Sequence, residues 1–205
     1  MTELFPDPLV VMALSFESQG VLENAGIPVL YTGIGKINAA YHLARRLGEY
    51  RCVGHATPRI LNFGTAGSPR FATGALVECR TFVQRDIDLT GLGFAVGVTP
   101  YEEVPAELTV PTVFAELPQG ICGSGDSFAT SAAAVSCDVV DMEAYALAKV
   151  AHFEQLQFTC VKYVTDGADA AAGDAWRQNL HRAAVEFVRL HRLYCAGART
   201  SDRYA

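Results

Sequence analysis

Short apolar runs alternate with stretches of helical periodicity along most of the chain. Continuous apolar runs at residues 9–14 and 27–31 are typical of strands buried on both faces. The same pattern predicts further strands at 59–63, 74–83, 120–124 and 158–164, helices at 36–47 and 175–194, and a strand-to-helix segment at 139–151. This alternation indicates a single α/β domain spanning residues 1–205, with a mixed, mostly parallel central sheet flanked by helices.

Three segments qualify this pattern. Prolines between residues 100 and 118 predict loops and an edge strand, because proline cannot donate to a central ladder. Residues 85–97 are polar and rich in glycine, which predicts a loop. In the helix at 36–47, the apolar positions at helical spacing are Ile37, Ala40, Leu43, Ala44 and Leu47.

Four predicted strands end in glycine and small polar residues, in the segments 32–36, 62–68, 124–128 and 165–169. In α/β sheets, ligands bind beyond the carboxyl ends of the strands, where the connecting loops converge. The repetition therefore predicts a small-molecule site at this edge of the sheet. None of the segments is a phosphate-binding P-loop or a dinucleotide fingerprint.

Three carboxylates stand out near predicted strand ends. Asp166 directly follows an apolar run, so it is either a partly shielded general acid or a helix N-cap, two roles of similar frequency. Glu143 lies in an almost apolar stretch, where an acid needs a partner such as sugar hydroxyls; the alternative is a carboxylate that favours a helix start. Glu17 follows the first strand, and its alternative is ordinary surface charge.

Composition narrows the class of protein. The 205 residues carry a formal net charge of −6 without a basic cluster, which argues against nucleic-acid binding. The six cysteines form no C-x-x-C pair and the five histidines show no metal-ligand spacing, so we expect neither a metal nor another cofactor. The beginning of the chain does not resemble a signal peptide and no apolar run reaches membrane-spanning length, which favours a cytoplasmic protein without membrane contact.

Six segments in order resemble the nucleoside phosphorylase/nucleosidase superfamily, and most closely the methylthioadenosine/S-adenosylhomocysteine nucleosidases. They are TGIGKINAA at 32–40, NFGTAG at 62–67, RDIDLTGLGF at 85–94, SGDSF at 124–128, VDMEA at 140–144 and TDGAD at 165–169. Each motif is weak alone, but their common order makes the resemblance strong. It implies hydrolysis of the N-glycosidic bond of a purine nucleoside.

The resemblance also implies roles for individual residues. Asp166 would protonate N7 of the purine, Glu17 would activate the attacking water, and Glu143 would accept hydrogen bonds from the ribose hydroxyls. Phe128 would stack on the base. The remaining substrate contacts would come from Thr32, Ala66, Gly67, Asp141, Met142 and Thr165.

Several alternatives stay open. Asn62 stands where related phosphorylases carry an arginine, which favours water over phosphate as the nucleophile, although Arg70 and Arg85 leave phosphorolysis possible. Leu92 replaces an aromatic residue that borders the 5′ substituent in the family, so adenosylhomocysteine-like, methylthioadenosine-like and futalosine-like nucleosides all remain candidates. A non-catalytic nucleoside-binding module is the third reading. The family usually forms dimers or larger assemblies, which implies a homo-oligomer, with a dimer favoured.

Overall fold

The computed structural model describes residues 7–127, 135–167 and 172–201. Its strands are β1 (Leu9–Met12), β2 (Val29–Tyr31), β3 (Ile60–Gly67), β4 (Leu76–Gln84), β5 (Glu107–Thr109), β6 (Gln119–Ser124), β7 (Val139–Asp141) and β8 (Phe158–Asp166). Its helices are α1 (Ser15–Ser18), α2 (Val21–Asn24), α3 (Lys36–Cys52), α4 (Ala144–Phe153) and α5 (Ala172–Ser201), with a 3-10 helix at Thr90–Leu92. No helix in these described ranges is long and apolar enough to cross a membrane.

The eight strands form one mixed sheet in which most neighbours are parallel. Only β3–β7, β4–β5 and β4–β8 are antiparallel. This confirms the predicted fold class. The edge strand β5 falls inside the proline-spaced segment, as predicted, because an edge position needs fewer backbone donors.

Strand β3 has three partners, and this closes part of the sheet into a ring. It pairs with β1, with β8 along its whole length, and with β7 at a single position, Gly67 opposite Val140. Strand β8 also pairs with β4, β4 pairs with β6, and β6 pairs with β7. Because β7 pairs with β3, this series of pairings closes on β3. The register shifts between Ala66 and Gly67, where Gly67 lies opposite Asp166. The ends of β3, β7 and β8 consequently meet.

Helices cover the sheet on both faces. One core cluster joins β-strand side chains to Leu43 and Leu47 of α3 and Leu147 of α4. The other joins the opposite strand face to α2 and to α5, where the rings of Phe63 and Phe187 stack with centroids 4.8 Å apart. Two-sided burial explains why β1 and β8 read as continuous apolar runs.

The structure corrects three details of the sequence-based prediction. Strand β3 continues through residues 64–67, beyond the predicted strand at 59–63, because β8 pairs with β3 to its end. The buried side of α3 is Ala39, Leu43 and Leu47, whereas Ile37 is 81% exposed. Glu17 lies on the short helix α1 and not in a loop.

Candidate active site

A cavity of about 270 Å³ opens where the ends of β3, β7 and β8 meet, beside α1. The three carboxylates singled out in the sequence, Glu17, Glu143 and Asp166, all border it. They are 126 and 23 positions apart along the chain, so only the closure of the sheet brings them together. A fourth carboxylate, Asp141, lies at the same wall.

Glu17 is a buried acid that is held at both carboxylate oxygens. Its Oε1 accepts hydrogen bonds from the backbone N–H and the hydroxyl of Thr65, at 3.0 and 2.8 Å, and its Oε2 accepts from the backbone N–H of Leu14 at 3.1 Å. The alternative of an ordinary surface charge is therefore wrong. These bonds fix the carboxylate at the cavity wall and leave lone pairs for a further donor.

Glu143 is the second of the two residues between β7 and α4 and is the N-cap residue of that helix. Its Oε1 accepts a hydrogen bond of 2.9 Å from the backbone N–H of Gly35, and no described residue donates to its Oε2. Burial, reinforced by the negative charge of Asp141, raises the pKa of Glu143 to about 7, although Lys162 and the Gly35 amide act in the opposite direction. One of its oxygens therefore remains available for a ligand donor.

Asp166 is the last residue of β8 and borders the cavity with a buried side chain. The hydroxyl of Thr165 donates to its Oδ2 at 2.8 Å, and its carbonyl oxygen accepts from the Ser68 N–H at 3.0 Å. The described part of α5 begins at Ala172, and Asp166 itself still belongs to β8. The pairing of its backbone with the end of β3 fixes the position of Asp166 at the cavity.

Beneath these acids lies a buried ion pair. Lys162 Nζ is 2.8 Å from Asp141 Oδ2, and the two side chains are 2% and 1% exposed. Asp141 also accepts from the Ser124 hydroxyl and, at 2.9 Å, from the Ala144 N–H. Desolvation alone would raise the pKa of Asp141, but Lys162 and these donors hold it below its usual value. These contacts hold Asp141 at the cavity wall, and its contact with a substrate stays a prediction.

Lys162 was not singled out as a functional residue from the sequence. The signal was present, since a single charge inside the buried run at 158–164 requires a partner. Gly64 explains how the lysine fits: a Cβ at that position would lie 3.0 Å from Lys162 Nζ and 3.8 Å from Glu17 Oε1. The glycine of β3 therefore permits the close approach of the lysine beneath the cavity.

The remaining predicted residues divide into three groups. Ala66, Gly67, Met142 and Thr165 border the cavity, and their contact with a substrate stays a prediction. Thr32 is buried outside the cavity wall, with its hydroxyl donating to the Gly33 carbonyl at 2.9 Å. Phe128 lies outside the described residues. Ile34, Leu14 and Arg85 also border the cavity and were not predicted as contacts.

Comparison with known proteins identifies the family of the chain. The model of the phosphorylase superfamily matches residues 17–193, and the chain belongs to that superfamily. It is 27% identical over 197 residues to the 5′-methylthioadenosine/S-adenosylhomocysteine nucleosidase of Anoxybacillus flavithermus, covering 85% of this chain and 82% of the relative. The nucleosidase of the same name from Marinomonas sp. is 28% identical over 188 residues, covering 80% and 78%.

Two solved structures show the same fold. The S-adenosylhomocysteine nucleosidase of Streptococcus pyogenes, in complex with 5-methylthiotubericidin, aligns with a TM-score of 0.78 and 20% identity, over 95% of this chain and 97% of the other. A futalosine hydrolase mutant of Helicobacter pylori aligns with a TM-score of 0.72 and 20% identity, over 94% and 96%.

The raised pKa of Glu143 predicts a pH-dependent stability difference. Between its ordinary pKa of 4.5 and about 7, the folded protein keeps a proton that the unfolded chain has lost, so wild-type stability falls as pH rises through this window. Glutamine cannot titrate. We expect the free energy of unfolding of Glu143→Gln to rise by up to about 3 kcal/mol relative to that of the wild type as the pH increases from about 4.5 to 8.

Urea unfolding followed by circular dichroism across this pH range measures the difference. Glu107→Gln makes the same chemical change at an exposed position of β5 and serves as the matched control, which should follow the wild type at each pH. A stability difference for Glu143→Gln that does not change with pH would contradict the inference.

Proposed function

We propose that this protein hydrolyses the N-glycosidic bond of a purine nucleoside and releases the free base and a ribose derivative. The observation that carries the proposal is the convergence of Glu17, Glu143 and Asp166 on one cavity. The nucleosidase names of the relatives, at 27–28% identity over most of both chains, support it.

The chemistry requires groups at both ends of the bond that breaks. Cleavage passes through an oxocarbenium-like ribose, so positive charge develops at C1′ and electrons move to the departing base. Asp166 is the general acid that protonates purine N7, which makes the base a better leaving group. Glu143 accepts hydrogen bonds from the 2′ and 3′ hydroxyls of the ribose, and Glu17 orients and activates the attacking water.

The environments of the acids support these separate tasks. Glu17 is anchored by three donors from Leu14 and Thr65, which suits a group that must hold a water in one place. Glu143 has an Oε2 to which no described residue donates, which suits a ligand hydroxyl. Because the pKa of Glu143 is about 7, ribose binding would strengthen as pH rises and the carboxylate becomes a better acceptor.

Water is favoured over phosphate because the candidate phosphate ligands are engaged elsewhere. The amide of Asn62 is buried and donates to the carbonyls of Val11 and Phe63, at 3.0 and 3.3 Å. Arg70 pairs with Asp138 at 2.7 Å. Arg85 borders the cavity, and one terminal nitrogen of its guanidinium donates to the backbone of the loop at Gly125 and Ser127, while its buried Nε has no partner among the described residues. Phosphorolysis is thus the weaker alternative.

A release assay tests the proposed reaction. Methylthioadenosine, adenosylhomocysteine, adenosine, inosine and a futalosine-like nucleoside are each incubated with the protein, with and without phosphate, and free base is quantified by chromatography. We expect base release without phosphate from at least one of them. Strict phosphate dependence would indicate a phosphorylase, and thermal stabilisation by a nucleoside without turnover would indicate a binding module.

Replacing the proposed acid tests its role directly. Asp166→Asn keeps the size of the side chain but cannot donate a proton of suitable acidity, so we expect the rate of base release to fall at least about 100-fold. Glu107→Gln, the matched change at the exposed site, should retain the wild-type rate. Retention of most activity by Asp166→Asn, with an unchanged circular dichroism spectrum, would remove Asp166 from the acid role.

We also propose that the protein is a homo-oligomer, with a dimer favoured. Three apolar side chains at the start of α3 and just before it are at least 49% exposed: Ile34, which borders the cavity, Ile37 and Tyr41. We expect sedimentation velocity to give twice the 22.0 kDa mass of the chain, and Ile37→Glu to shift the protein toward monomer. A wild-type protein that sediments as a monomer at micromolar concentration would exclude this assembly.

A further inference from the structure

Lys36, the first residue of α3, joins two loops that are far apart in sequence. Its backbone N–H donates to Asp126 Oδ1 at 2.8 Å, and its ammonium group pairs with Asp86 and, at 3.5 Å, with Asp126 Oδ2. Asp86 Oδ2 in turn accepts from the Asp126 N–H at 2.8 Å. We call Lys36, Asp86 and Asp126 the Lys36 cluster. It ties the segments that follow β4 and β6 to the start of α3.

The Lys36 cluster is directly connected to the proposed ribose ligand. Gly35, the preceding residue, donates its N–H to Glu143 Oε1 at 2.9 Å. Gly35 has φ of +94°, and a Cβ at this position would lie 3.1 Å from Asp126 Oδ1. Asp126 therefore packs against the same backbone turn that holds Glu143, and movement of Asp126 would displace the Gly35 amide.

The charge of Lys36 keeps the two aspartates together. Desolvation would raise the pKa of Asp86, but the hydrogen bond from Lys36 and the one from the Asp126 amide hold it below the usual value. Without the ammonium group, two carboxylates joined through the Asp126 N–H would repel each other. The segment that holds Asp126 and the cavity-lining Ser127 would then keep the hydrogen bond from the Lys36 N–H but lose its ionic attachment to α3.

We propose that Lys36 is a positioning residue for Glu143: by pairing with both Asp86 and Asp126 it fixes the Gly35 turn, and the turn fixes the carboxylate that receives the ribose hydroxyls. The kinetic part of this inference rests on the proposed function of the site. Many exposed ion pairs contribute nothing measurable to stability. The pairs of Lys36 differ because they belong to a series of contacts that ends on the buried carboxylate of Glu143.

The kinetic test compares Lys36→Met with Lys36→Arg and with a matched control. The control is Lys149→Met. Lys149 lies on α4, pairs with Glu102, and has a side chain that is 18% exposed, against 15% for Lys36. We expect Lys36→Met to lower kcat/KM about 10-fold, mainly through KM because ribose binding is weakened. The kcat/KM of Lys36→Arg should stay within about 3-fold of the wild-type value, and that of Lys149→Met should equal the wild-type value.

A double-mutant cycle shows whether Lys36 acts through Glu143. If it does, adding Lys36→Met to Glu143→Ala should lower kcat/KM by less than about 3-fold, since the group that Lys36 positions is already absent. An undiminished 10-fold loss in the Glu143→Ala background would overturn the proposal, and so would a Lys36→Met enzyme with wild-type KM.

Hydrogen exchange provides a readout that does not depend on turnover. In Lys36→Met we expect the Gly35 amide to exchange about 10-fold faster, while amides of β3 and β8 keep wild-type protection. Equal protection of Gly35 in both proteins would overturn the positioning role, and so would uniform loss of protection, which indicates general destabilisation. If the wild type released no base, the proposed function would fail, yet this measurement would still decide whether Lys36 holds the Gly35 turn.

Discussion

The buried ion pair between Lys162 and Asp141 is the interaction on which the site depends. It joins the end of β7 to the middle of β8, two strands that both pair with β3, and it lies directly beneath the cavity. An isolated charge in such a place would cost several kcal/mol, but the pair and its hydrogen bonds offset much of that cost. Because Lys162 balances Asp141, the protein can place further carboxylates close by.

Four acids then share one small cavity while their surroundings separate their properties. Asp141 is paired with a lysine and enclosed by protein donors, Glu17 is held at both oxygens by Thr65 and Leu14, and Glu143 keeps one oxygen for a ligand while burial raises its pKa. Identical chemical groups thereby acquire different properties from their environments, which the proposed N-glycosidic hydrolysis would use.

Much of the fold was predictable because it follows from local periodicity. Apolar runs located β1, β3 and β8, and helical spacing located α3, with Leu43 and Leu47 correctly and Ile37 wrongly placed on its buried side. The three proposed catalytic and ribose-binding acids were also identified, since each interrupts or follows an apolar run. Lys162 was missed although it carries the same signal, because a lysine in a strand suggests no chemistry until its partner is known.

The sequence by itself determined the elements, their order and the membership of the superfamily, because periodicity and short motifs are local properties. Only the tertiary structure decided that β3 pairs with three strands, and thus that Glu17, Glu143 and Asp166 border the same cavity. It also decided which acid is occupied by protein donors and which can receive a ligand. Such contacts join residues more than 100 positions apart, as between Gly35 and Glu143, and pattern along the chain carries no record of them.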